Sequence, residues 1–493
     1  MSEIEKAYYP GWMEWEFLQN EYTIENPSVD HKLAGTPELL KIWRNDDYQI
    51  RGCITGSTKY HFYTDVPENK SGLIIPPFEI KGAMYNDMEK YDLGGCYILG
   101  TSIRGSFDKP ANQEFQTELS IHRIRVTHQS KNEINSLIEW YLNGVDPVFF
   151  FNRGANRRYT QIFTKERDIL KEKTEKFENE VTLGWGRYAF IDCVDFGFVI
   201  NSVPKPYGPK WSNNLSIEYR PEFHRIPNAE ERIAISEIVS FILGKQMFNI
   251  GSSTYDKEGY IIETSAQNPW SETAKYLSPK PPFYPINLMN PGTECKIESI
   301  LPDLVKKYFD LKTELKLTDV LWRYWIGSEL PLGSDIPIMA NGIEILANNW
   351  FKSNRSQIKG VYIPYNEYKQ ITQDEIEKIS VKLGEHPHKK KIISKLSYCY
   401  NMGSNDRLNF FFNEIGLEIG NLEQEAIDSR NVMIHDSIDF YSTEYEKMVL
   451  LSFVYKTFFH RVLLKVLGYS GEYIDYSMKG YPSKSLDRIV GKY

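Results

Sequence analysis

Cysteine is scarce in this chain: five among 493 residues (Cys53, Cys96, Cys193, Cys295 and Cys399), with no short paired spacing. That scatter excludes the close pairs of a zinc ribbon or a thioredoxin-type motif, argues against a disulfide framework, and fits a reducing cytosol. Long hydrophobic runs are missing as well. The most apolar stretch, 449–467, is broken by Lys456, His460, Arg461 and Lys465. Those charges are too expensive for an ordinary membrane span, so the stretch reads as a core helix and no membrane association is expected. Residues 1–6 are polar and acidic with no apolar run behind them, which predicts neither a signal nor a transit peptide and a cytoplasmic location. Positive charge is not in excess: the formal net charge is −8. Any RNA contact must therefore rest on local basic patches working against an unfavourable mean field.

Material for a core is not lacking. A hydrophobic content of 41% with 25% charged residues is that of an ordinary globular protein. The length exceeds what one core serves efficiently, which predicts two or three domains. Residues 72–77, 94–100, 115–126 and 188–199 are short apolar runs bounded by turn residues and read as β-structure. Two segments break that rhythm. Ile134, Leu137, Ile138 and Tyr141 fall at helical spacing before Asn143-Gly144, predicting an amphipathic helix. Asn228 is a cap candidate with Glu231 three residues on, followed by a stripe of Ile235, Ile238, Val239 and Ile242 that stops at Gly244. Residues 165–179 are charge-rich with little apolar stripe, a candidate solvated helix.

Prolines 279, 281, 282, 285 and 291 restrict the backbone and place the domain boundary at 292. The expected class is α+β: a β-rich region over 1–292 with a sensing or regulatory role, then an all-α bundle over 293–493. Helices are predicted at 297–311, 317–326, 336–351, 372–383, 389–400, 406–415, 422–435 and 443–467.

The run Arg430-Asn431-Val432-Met433-Ile434-His435 carries the chemistry. Asn431 and His435 are four apart and share a helix face, while Arg430 starts about 140° from His435 around the axis, a gap its long side chain must close. Arg123 and His128 repeat the spacing in a predicted strand, where the odd offset sends them to opposite faces. A histidine moves a proton near neutral pH, its ordinary pKa being roughly 6.5. Arginine offers a permanently charged planar fork for phosphate oxygens. This pairing suits attack of a ribose hydroxyl on its own phosphodiester without a metal or other cofactor: Arg430 holds the phosphate, His435 acts as general base or acid, and Asn431 orients one of them.

Through Arg430, Asn431 and His435 in a compact helical setting, the C-terminal region resembles the HEPN ribonucleases. With its β-rich first part, the whole chain is similar to the ApeA-type abortive-infection proteins. The resemblance implies a HEPN-type bundle, a composite site in a homodimer, and antiphage defence by cleavage of RNA, tRNA among the candidates. Because such a nuclease harms its own cell, latency until a phage-derived trigger arrives is expected. The alternative is a non-catalytic dimeric adaptor that binds RNA or nucleotide.

Other candidates carry less. Lys389, Lys390 and Lys391, with Lys395, are a possible contact for RNA phosphates, though such runs are commonly solvated helix starts. His386-Pro387-His388 lacks further ligands and predicts no metal site. Arg153, Arg157 and Arg158 read as a basic loop. Glu344, on the helix 336–351, either faces the site as a polar orienter or, as a glutamate on an otherwise apolar helix more commonly does, simply faces solvent; it is left outside the site.

Overall fold

A computed structural model describes residues 15–29, 33, 35–58, 77–84, 88–104, 113–128, 133–146, 153–163, 177–203, 208–257, 259–269, 274–277, 279–288, 296–353, 355–356, 360–435 and 443–491; for 153–163, 177–187, 431–435 and 443–444 the description is of backbone only. The chain divides into two compact units: residues 1–232, 245–283 and 288–302, and residues 233–244, 284–287 and 303–493. The class is α+β, a large antiparallel sheet followed by helices.

The sheet of the first unit contains β1 (Tyr22–Glu25), β2 (Thr36–Arg44), β3 (Ile50–Thr58), β4 (Phe78–Met84), β5 (Glu89–Arg104), β6 (Gln113–His128), β7 (Ser136–Leu142), β8 (Arg153–Phe163), β9 (Phe177–Cys193), β10 (Phe196–Val203), β11 (Asn214–Tyr219), β12 (Phe248–Tyr255) and β13 (Ile261–Gln267). Its order is β1-β2-β3-β6-β13-β12-β7-β11-β10-β9-β8, with β5 pairing β6 and carrying β4. In β6, Phe115, Leu119, Ile121, Ile124 and Val126 are buried. The ladder sets Arg123 opposite Gly94 and His128 opposite Glu89.

Two predictions for this unit are corrected. Residues 136–142 form a strand, not an amphipathic helix, and every residue of it is buried. β7 is hydrogen-bonded on both edges, to β11 and β12, so its near-continuous apolar run answers to two neighbouring strands rather than to one face of a helix. Arg153, Arg157 and Arg158 lie in β8, paired with β9, and not in a loop. Of the charge-rich stretch, 165–176 lie outside the described residues and 177–179 open β9.

Helix α1 (Ala229–Ile242) follows its sequence signals. The Asn228 side chain accepts from the Glu231 amide at 3.0 Å while Glu231 accepts from the Asn228 amide at 2.7 Å, satisfying two otherwise orphaned donors. Arg225 forks onto the same carboxylate and holds Glu231 below the usual carboxylate range. Ile235, Ile238, Val239 and Ile242 are fully buried, and Gly244 follows at positive φ. A short turn, α2 (Ala274–Leu277), belongs to the first unit.

Beyond the prolines come α3 (Lys296–Leu315), α4 (Leu317–Glu329), α5 (Asp335–Lys352), α6 (Tyr365–Leu383), α7 (Lys389–Ser397), α8 (Ser404–Glu414), α9 (Asn421–His435) and α10 (Thr443–Val466), then a small ladder of β14 (Glu472–Ile474) and β15 (Ser483–Ser485). Each of the eight predicted helices has a counterpart, although α6 begins at Tyr365, seven residues before the predicted 372. The ladder has no counterpart in the sequence reading. In α5, Ile336, Met339, Ala340, Ile343, Leu346 and Ala347 keep helical spacing and are buried. Gly342 lets α4 come close: a Cβ there would meet Arg323 Cβ at 3.1 Å and a Phe459 ring carbon at 3.2 Å.

Helix α10 is the core element expected of 449–467, and of its interrupting residues Lys456, His460 and Arg461 are buried while Lys465 is half-buried. Arg461 is fully buried, ion-paired to Glu423, bonded to the Leu486 carbonyl at 3.1 Å, and stacked over Tyr473. Glu423 in turn accepts from the Gly420 amide at 2.8 Å, so the same carboxylate caps the start of α9. His460 is fully buried and shares a 2.6 Å hydrogen bond with the Tyr324 hydroxyl. By contrast α6 and α7 bury no residue and pack on each other. Among the described residues, no helix is long and apolar enough to cross a membrane.

Candidate functional site in the helical unit

Three helices position the site. On α5 the polar residues Asn341, Glu344 and Asn348 follow i, i+3 and i+7, so they line one face while the apolar stripe takes the other. The first turn of α8 supplies Ser404, Asn405 and Asp406. Helix α9 brings Arg430, only 7% exposed, toward both.

The Arg430 guanidinium is held by three acceptors. Nη1 donates to Glu344 Oε1 at 2.7 Å, and Nη2 donates to Asn405 Oδ1 at 2.7 Å and to Ser404 Oγ at 3.4 Å. Ser404 Oγ itself donates to Glu344 Oε1 at 3.1 Å, closing a small ring of polar contacts. Nε of Arg430 donates to none of the described residues. These groups form the wall of an open cleft of about 650 Å³, with Asn341 and Asp406. A second pocket of about 100 Å³ shares Glu344 and Ser404 and adds Asn348 and Arg407.

Glu344 is therefore not the solvent-facing glutamate that the sequence suggests. Its side chain is 33% exposed and carries the ion pair with Arg430. The polar i, i+3, i+7 series on an otherwise apolar helix is the signal that points to it, since such a series must face solvent or a polar partner. Tyr455, fully buried beside Arg430 and Glu344, has its hydroxyl pKa pushed far up by burial.

No family model, curated protein or solved structure matches the chain. The site is thus read on its own geometry.

Of the other residues singled out in the sequence, Asn431 and His435 occupy the last turns of α9, which ends at His435; their side chains lie outside the described residues, as does the chain at 436–442. Lys389, Lys390 and Lys391 form the first turn of α7, where no acidic residue joins them. His386 and His388 are exposed beside them, their ring centroids 5.7 Å apart. Among the described residues, no group of His, Cys, Asp and Glu is placed to hold a metal ion.

Proposed function

We propose that the helical unit is a HEPN-type, metal-independent endoribonuclease whose reaction centre is the Arg430 cleft. The observation that carries this reading is the Arg430 guanidinium itself: buried, fixed by Glu344 and Asn405, and set in the wall of a cleft open to solvent. A guanidinium fixed before substrate arrives needs no reorganisation as charge builds on a phosphate, which is the main source of electrostatic catalysis. Nε, which has no acceptor among the described residues, supplies a donor for a non-bridging oxygen.

In the proposed reaction the ribose 2′-hydroxyl attacks the adjacent phosphorus, His435 moves the proton, and the 5′-oxygen of the next nucleotide leaves. Asn431 orients the imidazole or the phosphate. Products carry a 2′,3′-cyclic phosphate and a 5′-hydroxyl. One histidine contributes roughly 10² to 10⁴ in rate, so a second copy of the chain, joined as a homodimer, completes the proposed site. The role proposed for such a protein is antiphage defence, with tRNA among the candidate substrates, and with activity held latent by the β-rich region until a phage-derived trigger acts.

Glu344 favours a second reading. A carboxylate 2.7 Å from the guanidinium competes with any phosphate, as expected of a latent enzyme or of an adaptor that binds RNA or nucleotide without turnover. Incubation of the full chain with total RNA in excess chelator separates the two. Cleavage that His435→Ala and Arg430→Ala both abolish, in folded protein, supports the nuclease; tight RNA binding without turnover, with or without trigger, supports the adaptor.

A further inference from the structure

Each of the three polar residues on the cleft face of α5 receives an arginine from a different helix. Asn341 Oδ1 accepts from Arg323 Nε of α4 at 2.9 Å, Glu344 Oε1 from Arg430 Nη1 of α9 at 2.7 Å, and Asn348 Oδ1 from Arg407 Nη1 of α8 at 2.8 Å. Only the middle arginine is ion-paired: neither Arg323 nor Arg407 has a carboxylate within salt-bridge distance among the described residues. Arg323 rests against the Trp322 ring and is half-buried. Arg407 gives a second bond to the Met402 carbonyl at 3.1 Å, while its Nε is buried without an acceptor among the described residues; Arg407 lines the pocket with Glu344 and Ser404. A buried guanidinium N–H with no partner is costly and marks a position that an anion would satisfy. Asp406, also on the cleft, accepts a hydrogen bond from the Tyr362 hydroxyl.

We infer that Arg323, Arg430 and Arg407 form a phosphate track along α5 that binds three successive phosphates of one RNA strand, with the scissile one at Arg430. The acceptors step along the helix axis by about 4.5 Å and then about 6 Å, at 1.5 Å per residue. That spacing sets about one arginine per turn of α5, so that each can meet a different phosphate of an extended strand. Amide acceptors on the outer two leave full positive charge for the flanking phosphates, whereas Glu344 tempers the central one. The track accounts for how a chain of net charge −8 takes up RNA: three arginines, held apart by one helix face, concentrate charge that the mean field opposes.

This inference rests on the proposed RNA reading but is tested by binding, so the two fail separately. Fluorescence anisotropy of the full chain with a labelled ten-nucleotide unstructured RNA in chelator, across a salt series, is the measurement. Arg323→Ala and Arg407→Ala are each expected to weaken binding several-fold and to make the slope of log K against log salt shallower by about 0.7, the value for one phosphate contact on a single strand. Arg323→Lys, which keeps the charge, is expected to recover most of the slope. A dinucleotide, too short to reach the outer arginines, is expected to bind both alanine variants as it binds the parent. Unchanged slopes in folded Arg323→Ala and Arg407→Ala overturn the track, as does displacement of the RNA by ATP at equal phosphate concentration. Arginine-dependent slopes in a protein that cleaves nothing, with or without trigger, leave the track standing and remove the nuclease.

Discussion

Glu344 on α5 accepts a hydrogen bond from Arg430 on α9 at 2.7 Å, joining side chains 86 residues apart in the chain. The pair fastens the helix that carries the Arg-Asn-x-x-x-His run to the helix that lines the cleft, so it serves both the packing of the unit and the geometry of the site. Arg430→Ala is expected to cost about 1–3 kcal/mol of stability, because Glu344 and Asn405 lose a charged donor. Adding Glu344→Ala is expected to cost less than the sum of the two single changes, with a coupling of about 1 kcal/mol. Urea unfolding of the two single variants and the double variant measures this, and strict additivity removes the coupling.

A pH dependence follows from His460. Burial and the nearby Lys456 lower its pKa to about 3, so the folded ring is neutral between Tyr324, Phe241 and Tyr476. The unfolded ring titrates at roughly 6.5. The unfolded chain therefore binds the extra proton first as pH falls. Stability from this group is complete above that value and declines on acidification, by about 1.4 kcal/mol per pH unit, until the folded pKa is reached. From pH 7 to 6 the unfolding free energy is expected to fall about 0.7 kcal/mol more for the parent than for His460→Gln, and from pH 6 to 5 about 1.2 kcal/mol more; equal slopes would show that another group carries the dependence.

Arg461 and Glu423 form an ion pair with both side chains at 0% exposure. Removing one partner leaves a buried charge alone, at a cost of roughly 3–5 kcal/mol, whereas removing both with apolar residues of similar size is far milder. Glu423→Leu is accordingly expected to unfold the helical unit at markedly lower urea, and Glu423→Leu with Arg461→Met to recover much of the loss. A double variant as weak as the single would show that the pair is net stabilising.

Helix α1 depends on a local device. Asn228→Ala removes the acceptor for the Glu231 amide and is expected to cost about 0.5–2 kcal/mol, while Asn228→Ser keeps most of it. Amide hydrogen exchange over the first turn of α1 reads this directly: faster exchange in Asn228→Ala and near-parental exchange in Asn228→Ser is the expected pattern.

Helices were more legible in the sequence than strands, for a physical reason. A helix of the second unit states its own period over ten or more residues, as α5 does with its apolar and polar faces, and α1 adds a cap within four residues. β7 states nothing of the kind. Leu137, Ile138, Trp140, Tyr141 and Leu142 satisfy a helical stripe as well as a buried strand, and only the pairing with β11 and β12, supplied by residues about 75 and 110 positions later, separates the two. The basic residues of β8 were obscured in the same way, since their strand exists through β9.

Within the site, residue types were readable and partnership was not. The order Arg430-Asn431-x-x-x-His435 is local, so one stretch of chain declares it and its helix. Glu344 and Asn405 reach the cleft from two other helices, Arg323 and Arg407 bond to the same face of α5, and nothing short-range ties any of them to Arg430. The amino-acid sequence by itself determined the α+β class, the helices of the second unit and the capping box, because propensity, periodicity and side-chain chemistry act over a few residues. Tertiary structure alone decided that β7 is a strand, that Arg461 of α10 is buried and paired with Glu423, and that three arginines meet one face of α5, because hydrogen-bond ladders and ion pairs between distant segments exist only once the chain has packed.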